Sequence, residues 1–500
     1  MKKLSTYFLL LSLGAWSACL WANPPDTPAS EGYHGSDSVL IDLESAILLG
    51  LDNHPHLRVQ NLFPSLKALE IKRQKGRYDL QLNAGVQRGQ SQSQRRLGSS
   101  ANPFDIKDTT TSINLGLSQL LPSGTNIELS TGISGSVSNL YTDQYAGNVN
   151  LTVTQSLLQG VGFGPNLATI RKAELDLELS VSELKGVVEA VTADIETAYW
   201  ILYLTAEELK IQKKSLQLAE QQLLETQERV NVGKLADLEL AAVSAELALR
   251  KSQLIDAKSR HEQARLHFIY LIYPDTKALW SHQPLPSDLP VIPEDSLDPV
   301  TVHETLGMKF RPDLIQARLA LQQEDLSVRQ TRNGMLPKLD IFISLGRTTY
   351  AETMGAAVPE LNSPFSQLQG GVNLEFALRN RQASATYQAA HVSRQLQEIA
   401  VENMERLVAL EIRSSYVEVV RTRQQVQATQ VTRKLQEVKL AAEQEKFRVG
   451  KTTNILVLQV QRDYTASQLE EARAVVAYLN ALVKLYVAEG TLLERRGIDT

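Results

Sequence analysis

The chain has 500 residues, 43% of them hydrophobic and 21% charged. That composition supports a packed core and excludes a disordered polymer, and the length suggests about two to four domains. The formal net charge of −5 provides no basic stripe, so no nucleic-acid partner is expected.

Lys2 and Lys3 open the chain, an apolar run with Leu9, Leu10, Leu11, Leu13 and Trp16 follows, and small residues lead to Ala22. This is the form of a secretory signal peptide over residues 1–22, with a mature chain starting near Asn23. The sole cysteine, Cys19, lies inside it. A lipid-anchor reading would make Cys19 the first mature residue, but Trp16 stands where such signals usually carry leucine. Without that anchor the mature chain has no thiol and no disulfide. No later stretch reaches ~18 consecutive apolar residues, so no transmembrane helix is expected. The exported chain is then periplasmic, secreted, or in an outer membrane as a β-barrel.

After an N-terminal segment, 23–41, helical periodicity covers about 42–76, with Pro64 expected to kink or restart the helix. Strand-like alternation occupies 79–158. TSINLGLSQL (111–120) and GNVNLTVTQSL (147–157) both alternate, the latter with Val149, Leu151 and Val153 on one face and Asn150, Thr152 and Thr154 on the other. Such strands, polar but scarcely charged on one side, suit a water-filled membrane barrel, although a soluble sandwich alternates alike. Leu121-Pro122-Ser123-Gly124 has the form of a tight turn. A long helix is expected over about 166–230. Its seam runs Val188, Val191, Ile195, Ala198, Leu202, Thr205, Leu209, Leu216, Ala219, Leu223 and Val230, mostly in steps of four and three, with Gln212 breaking the apolar rule. Its length is ~95–100 Å, far beyond what a monomeric globular domain uses. A shorter helix over 236–272 follows, and then a proline-rich connection at 274–299.

The pattern then recurs. A helix over 300–333, strands within 336–378 (LDIFISL and SQLQGGVNLEFAL), a long helix over 381–448, a helix over 454–489 and a tail, 491–500, complete the chain. TAYWILY at 197 resembles SSYVEVV at 414, and VNVGK at 230 matches FRVGK at 447, both offset by 217. GLDNHPHL at 50 resembles GMKFRPDL at 307, offset by 257. The chain reads as one motif used twice, 42–273 and 300–490, with about 40 extra residues in the first strand region. Two short helices end to end are about as long as one long helix, so each half supplies two rods.

Gly450-Lys451-Thr452 looks like the end of a P-loop. That motif needs a glycine five residues before the pair, after a strand. Glu445 stands there, within a helical pattern, so no phosphate nest is available. Occurring twice at equivalent places, Gly233 and Gly450 instead suit a left-handed helix end, with Asp237 and Asn454 as N-caps of the next helix. Each VGK is expected at the tip of a helical hairpin, ~100 Å from the strands.

TQSLLQGVGFGPN (154–166) at the strand-to-helix junction, RPDLIQARLALQQEDLSVRQTRNGMLPKLDIFISLG (311–346) in the second half and the paired VG tips together resemble the TolC-like outer membrane efflux protein family. The resemblance covers about residues 40–490. It implies a mixed α and β membrane protein, a homotrimer. Amphipathic strands of three chains would form a shared transmembrane β-barrel in outer-membrane lipid, and long coiled-coil helices a periplasmic α-barrel of twelve rods. It also implies a Gram-negative outer membrane, a periplasmic adaptor (membrane fusion protein) and an inner-membrane transporter as partners, no cofactor and no enzymatic site. By the same resemblance the periplasmic entrance is built from Gly233, Asp237 and Glu239 at one tip and Phe447, Arg448, Gly450 and Thr452 at the other. A pair between Arg448 and a carboxylate of the neighbouring hairpin could help hold it shut, although one exposed pair contributes only ~0–1 kcal/mol.

The sequence departs from the family pattern twice. Leu456 and Gln459 occupy the turn where TolC carries an aspartate ring. The first strand region is long enough for four strands, so either six strands per chain or an extended hairpin follows; four crossing segments are the expectation. His54-Pro55-His56 lacks a third ligand and is not expected to bind metal. Pro55 and Pro312 read as helix punctuation, and Glu207-Glu208 and Lys213-Lys214 as solvated helix surface. Phe104, Tyr141, Tyr145, Tyr350 and Phe365 suit either a membrane interface or loop packing. A periplasmic coiled-coil adaptor is the alternative, disfavoured by two hairpins in one chain. An exported enzyme lacks any nucleophile–base constellation.

Overall fold

The structure, a computed structural model, describes residues 38–96, 102–139, 142–233, 235–273, 280, 283–293, 297–358 and 366–498. The signal peptide with Cys19, most of the 23–41 segment, Lys234, Tyr141 and Phe365 lie outside the described residues. In chain order the elements are β1 (Ser38–Ile41), α1 (Leu43–Asn53), α2 (Pro55–Gln60), α3 (Leu62–Lys75), β2 (Gln81–Arg95), β3 (Phe104–Leu120), β4 (Thr125–Ser138), β5 (Gln144–Ser156), α4 (Phe163–Asn166), α5 (Ala168–Asn231) and α6 (Asp237–Ile272). Then follow β6 (Gln283–Pro286), α7 (Val300–Phe310), α8 (Pro312–Gly334), β7 (Lys338–Ala351), β8 (Gln367–Glu375), α9 (Arg381–Arg448), α10 (Asn454–Glu489) and α11 (Leu492–Arg495).

Prolines place the helix breaks. His54 (ψ 117°) and Arg311 (ψ 120°) are extended, because a following proline ring crowds the α conformation of the residue before it. Pro55 and Pro312 then open α2 and α8, where a missing N–H is no loss. Pro64 lies in the first turn of α3, so the restart falls at Asn61, just ahead of it.

The helices α5 and α9 hold 64 and 68 residues, or ~96 and ~102 Å at 1.5 Å per residue. The segments α6 and α1–α3 share the length of α5, while α10 and α7–α8 share that of α9. Where the short segments meet, two apolar cores form. One joins Ile47, Ile195, Tyr199, Leu202, Phe268 and Ile272; the other joins Val408, Ile412, Val419, Tyr478 and Leu485. A Cβ on Gly50 would stand 2.3 Å from Ile195 Cδ1, and a Cβ on Gly307 would stand 2.3 Å from Ile412 Cδ1. Both glycines let a short helix close onto an isoleucine of a long one. Strands β1 and β6 pair in parallel beside the first core, and Tyr199 Oη donates to Ile41 O at 3.2 Å.

At the far end of the rods lies one antiparallel sheet in the order β2-β3-β4-β5-β7-β8. The sheet holds six strands, two more than the four crossing segments expected. The first half supplies four, because Leu121–Thr125 is a true hairpin turn: Leu121 N donates to Thr125 O at 2.8 Å and Gly124 has φ +87°. The turn is tied to the strand-to-helix junction. Asn166 Nδ2 donates to Pro122 O (3.2 Å), Gly160 O (2.7 Å) and Gly162 O (2.9 Å). A Cβ on Gly124 would lie 2.3 Å from Gly160 O, so turn and junction approach closely only because this residue is glycine.

Candidate functional site

The tip glycines end the two long helices. Gly233 has φ +70° and donates its N–H to Val230 O at 2.8 Å; Gly450 has φ +77° and donates to Phe447 O at 3.1 Å. Lys451 N reaches back to Lys446 O at 2.8 Å, the long closing bond of a left-handed helix end. A Cβ at either glycine would meet nothing within 4 Å. Glycine is therefore required by the backbone angle rather than by space. The Gly450 segment caps a helix and cradles nothing.

The helices that follow begin one residue earlier than the capping expectation. Asp237 and Asn454 are the first helical residues, and Ala236 and Thr453 are the extended caps, without a side-chain cap bond. Asp237 and Glu239 lie in the first turn of α6, where negative charge meets the positive end of the helix dipole. Asn454 is buried and turned to another partner: Gln222 Nε2 donates to its Oδ1 at 2.6 Å, and Gln461 Nε2 donates to Gln222 Oε1 at 2.9 Å. This polar chain links α5 with α10.

Within the single chain Arg448 pairs along its own helix. Its Nε donates to Glu445 Oε2 at 3.0 Å within α9, a neighbour at helical i,i+3 spacing. Phe447 adds a second contact between the hairpins: its ring lies 4.7 Å below the Arg229 guanidinium of α5. The Lys446 ammonium, 2.5 Å from Glu443 Oε1, holds that carboxyl below its ordinary range, and the Thr452 hydroxyl adds to this. Of the expected entrance residues, Phe447, Arg448 and Thr452 thus make side-chain contacts, Gly233 and Gly450 shape the turns, and Asp237 and Glu239 start α6. Leu456 and Gln459 are exposed on α10.

Farther from the tips, two buried carboxylates clamp the hairpins together. Glu246 accepts from Arg250 Nε and from Arg462 Nε, both at 2.8 Å. Glu208 accepts from Arg473 Nε at 2.8 Å and faces Arg260 Nε at 3.4 Å. Glu208 is 4% exposed, which corrects its reading as solvated surface; Lys213 and Lys214 are exposed. The available signal was its place one residue before the seam position Leu209. The local sequence shows only the i,i+4 pair of Glu246 with Arg250; the partner across the hairpins, Arg462, is 216 residues away.

His54 and His56 stand with ring centroids 6.4 Å apart. Among the described residues no cluster of three or more His, Cys, Asp or Glu is placed to hold a metal ion. No helix among them is long and apolar enough to cross a membrane.

Two helical hairpins, each with a glycine-capped tip and rooted in one antiparallel sheet, make up the described chain. The model of the family described as outer membrane efflux protein matches residues 79–269 and 308–491. The chain belongs to that family. Solved structures agree in fold. The Campylobacter jejuni CmeC outer membrane channel is 14% identical with a TM-score of 0.66, covering 94% of this chain and 94% of that one. The outer membrane protein VceC from Vibrio cholerae is 13% identical with a TM-score of 0.65, covering 90% and 96%. The open state of the Neisseria gonorrhoeae MtrE outer membrane channel is 17% identical with a TM-score of 0.64, covering 90% and 89%. No curated protein sequence matches the chain.

Proposed function

We propose that the chain is the outer-membrane exit duct of a tripartite efflux pump or a type I secretion system, working as a homotrimer. Three sheets share one barrel in outer-membrane lipid, and twelve rods continue it into the periplasm of a Gram-negative cell. The single observation that carries this is the open sheet. Strands β2 and β8 each have one unpaired edge, and a barrel in lipid tolerates none. The tips, with Gly233, Asp237, Glu239, Phe447, Arg448, Gly450 and Thr452, face a periplasmic adaptor and, through it, an inner-membrane transporter that supplies the energy. Residues 1–22 act as the leader, and residues 42–273 and 300–490 are two copies of one repeat. The duplication is supported by the two glycine–isoleucine contacts. Gly50 to Gly307 is an offset of 257 and Ile195 to Ile412 one of 217, the same two offsets that relate the sequence motifs. The adaptor alternative has no comparable support.

The detergent-corrected mass of protein extracted from outer-membrane fractions tests the reading. A mass near three chains is expected. A single-chain mass, or recovery in the soluble periplasm, would sink it.

A further inference from the structure

We propose that all six strands of each chain cross the membrane, and that the β2 edge of one chain pairs with the β8 edge of a second copy. The result is an eighteen-stranded barrel rather than a twelve-stranded one. This rests on the trimeric reading above.

The register carries the inference. Leu82 lies opposite Leu117, Leu117 opposite Leu129, Leu129 opposite Leu151, Leu151 opposite Leu345, and Leu345 opposite Leu368. One row of leucines therefore runs across all six strands on one face. The adjacent row, on the opposite face, reads Gln81, Ser118, Glu128, Thr152, Ser344 and Gln369. Side chains alternate between faces along a strand, so one face is apolar and the other polar at the same level throughout. A hairpin extending beyond the membrane, or folded back over it, has no reason to keep this apolar row in line with the other strands. Leu82 and Leu368, at the two edges, are 65% and 76% exposed in the single chain, as residues destined for lipid would be.

Lengths and turn positions agree. The strands hold 15, 17, 14, 13, 14 and 9 residues, and ~9–11 suffice to cross a bilayer. The β3–β4 turn sits at the strand-to-helix junction, held by Asn166, so this hairpin starts at the same level as the strands that enter the helices. An even number of strands puts β2 and β8 in opposite directions. The β8 edge of one chain then meets the β2 edge of the next as another antiparallel pair, and three chains close with no edge left in lipid.

At ~4.8 Å between strands and a tilt of ~40°, eighteen strands give a backbone diameter of roughly 36 Å, against roughly 24 Å for twelve.

The experiment pairs cysteines on the polar face. The chain has no cysteine but Cys19, so adducts report on the introduced pair. Asn83→Cys is combined in turn with Gln367→Cys, Gln369→Cys and Asn373→Cys to probe the β2–β8 edge. Ser130→Cys with the same three probes a β4–β8 edge, the one that four crossing strands would form. Oxidation is expected to convert purified trimers of at least one β2–β8 pair into covalent dimers and trimers, with none from the β4 series. Averaged images of unsubstituted trimers should show a barrel end roughly 36 Å across. Cross-links from Ser130→Cys, or a barrel end of roughly 24 Å, would overturn the proposal while leaving the trimer intact. A single-chain mass would sink the trimeric reading instead.

Discussion

Gly307 shows how much a single hydrogen atom can decide. A Cβ there would meet Ile412 Cδ1 at 2.3 Å, with Val408 Cγ1 and Ala488 O at 3.4 Å. Alanine would favour the helix but overpack the core, at a typical cost of ~1–3 kcal/mol. Gly307→Ala is expected to lower the thermal midpoint, and adding Ile412→Val, which removes the offending methyl, should recover part of the loss. Additive losses in that double-mutant cycle would remove Ile412 as the cause. Glu189 is the other informative residue. It is buried on α5, accepts the Leu492 N–H at 3.0 Å, and burial pushes its carboxyl up to about 7. A raised carboxyl means that the folded chain holds a proton the unfolded one has lost. Its contribution is therefore present below the ordinary pKa of 4.5 and declines as pH rises towards about 7. Glu189→Gln can still accept from Leu492, so its midpoint relative to the parent should climb between pH 4.5 and 7 and then level off. A constant difference across that range would show that Glu189 is not held protonated.

Among the elements, the long helices and the alternating strands were legible because their periodicities are local and repeat many times. The tip glycines were legible as helix ends because VGK occurs twice, and both take positive φ. Other features were not. The expected N-caps moved by one residue, and Glu208 proved buried against Arg473. Each depends on a neighbouring helix that a one-dimensional pattern does not contain. The continuation of the sheet is set in a similar way: alternation reports faces, whereas the Leu121–Thr125 turn and its anchor Asn166 decide where a new strand begins. Replacing Gly233 or Gly450 by valine should strain the tip by ~1–2 kcal/mol. The tips lie far from the sheet, so trimer mass should be unchanged while adaptor binding or export falls. Full export by both variants would count against these tips as the docking end.

For the molecule as a whole, the described sheet leaves one edge each of β2 and β8 bare and carries an apolar face, which the proposed trimer in lipid would cover. Purified trimers placed in a planar bilayer should conduct in discrete steps. If their closest constriction is at the tips, Phe447→Ala, which removes the ring under Arg229, should raise the size or frequency of those steps. A conductance unaffected by this change would place the constriction elsewhere.

The sequence by itself determined the secondary structure of the rods, the amphipathic character of the strands, the tip glycines and the family, since all of these are written in short, repeated patterns. Only the tertiary structure decided that six strands form one continuous sheet, that Glu208 and Glu246 clamp α10 to the first hairpin, and that Phe447 lies under Arg229 between the tips. Those outcomes depend on residues far apart in the chain, such as Glu246 and Arg462, whose burial and charge balance arise only once the helices have packed.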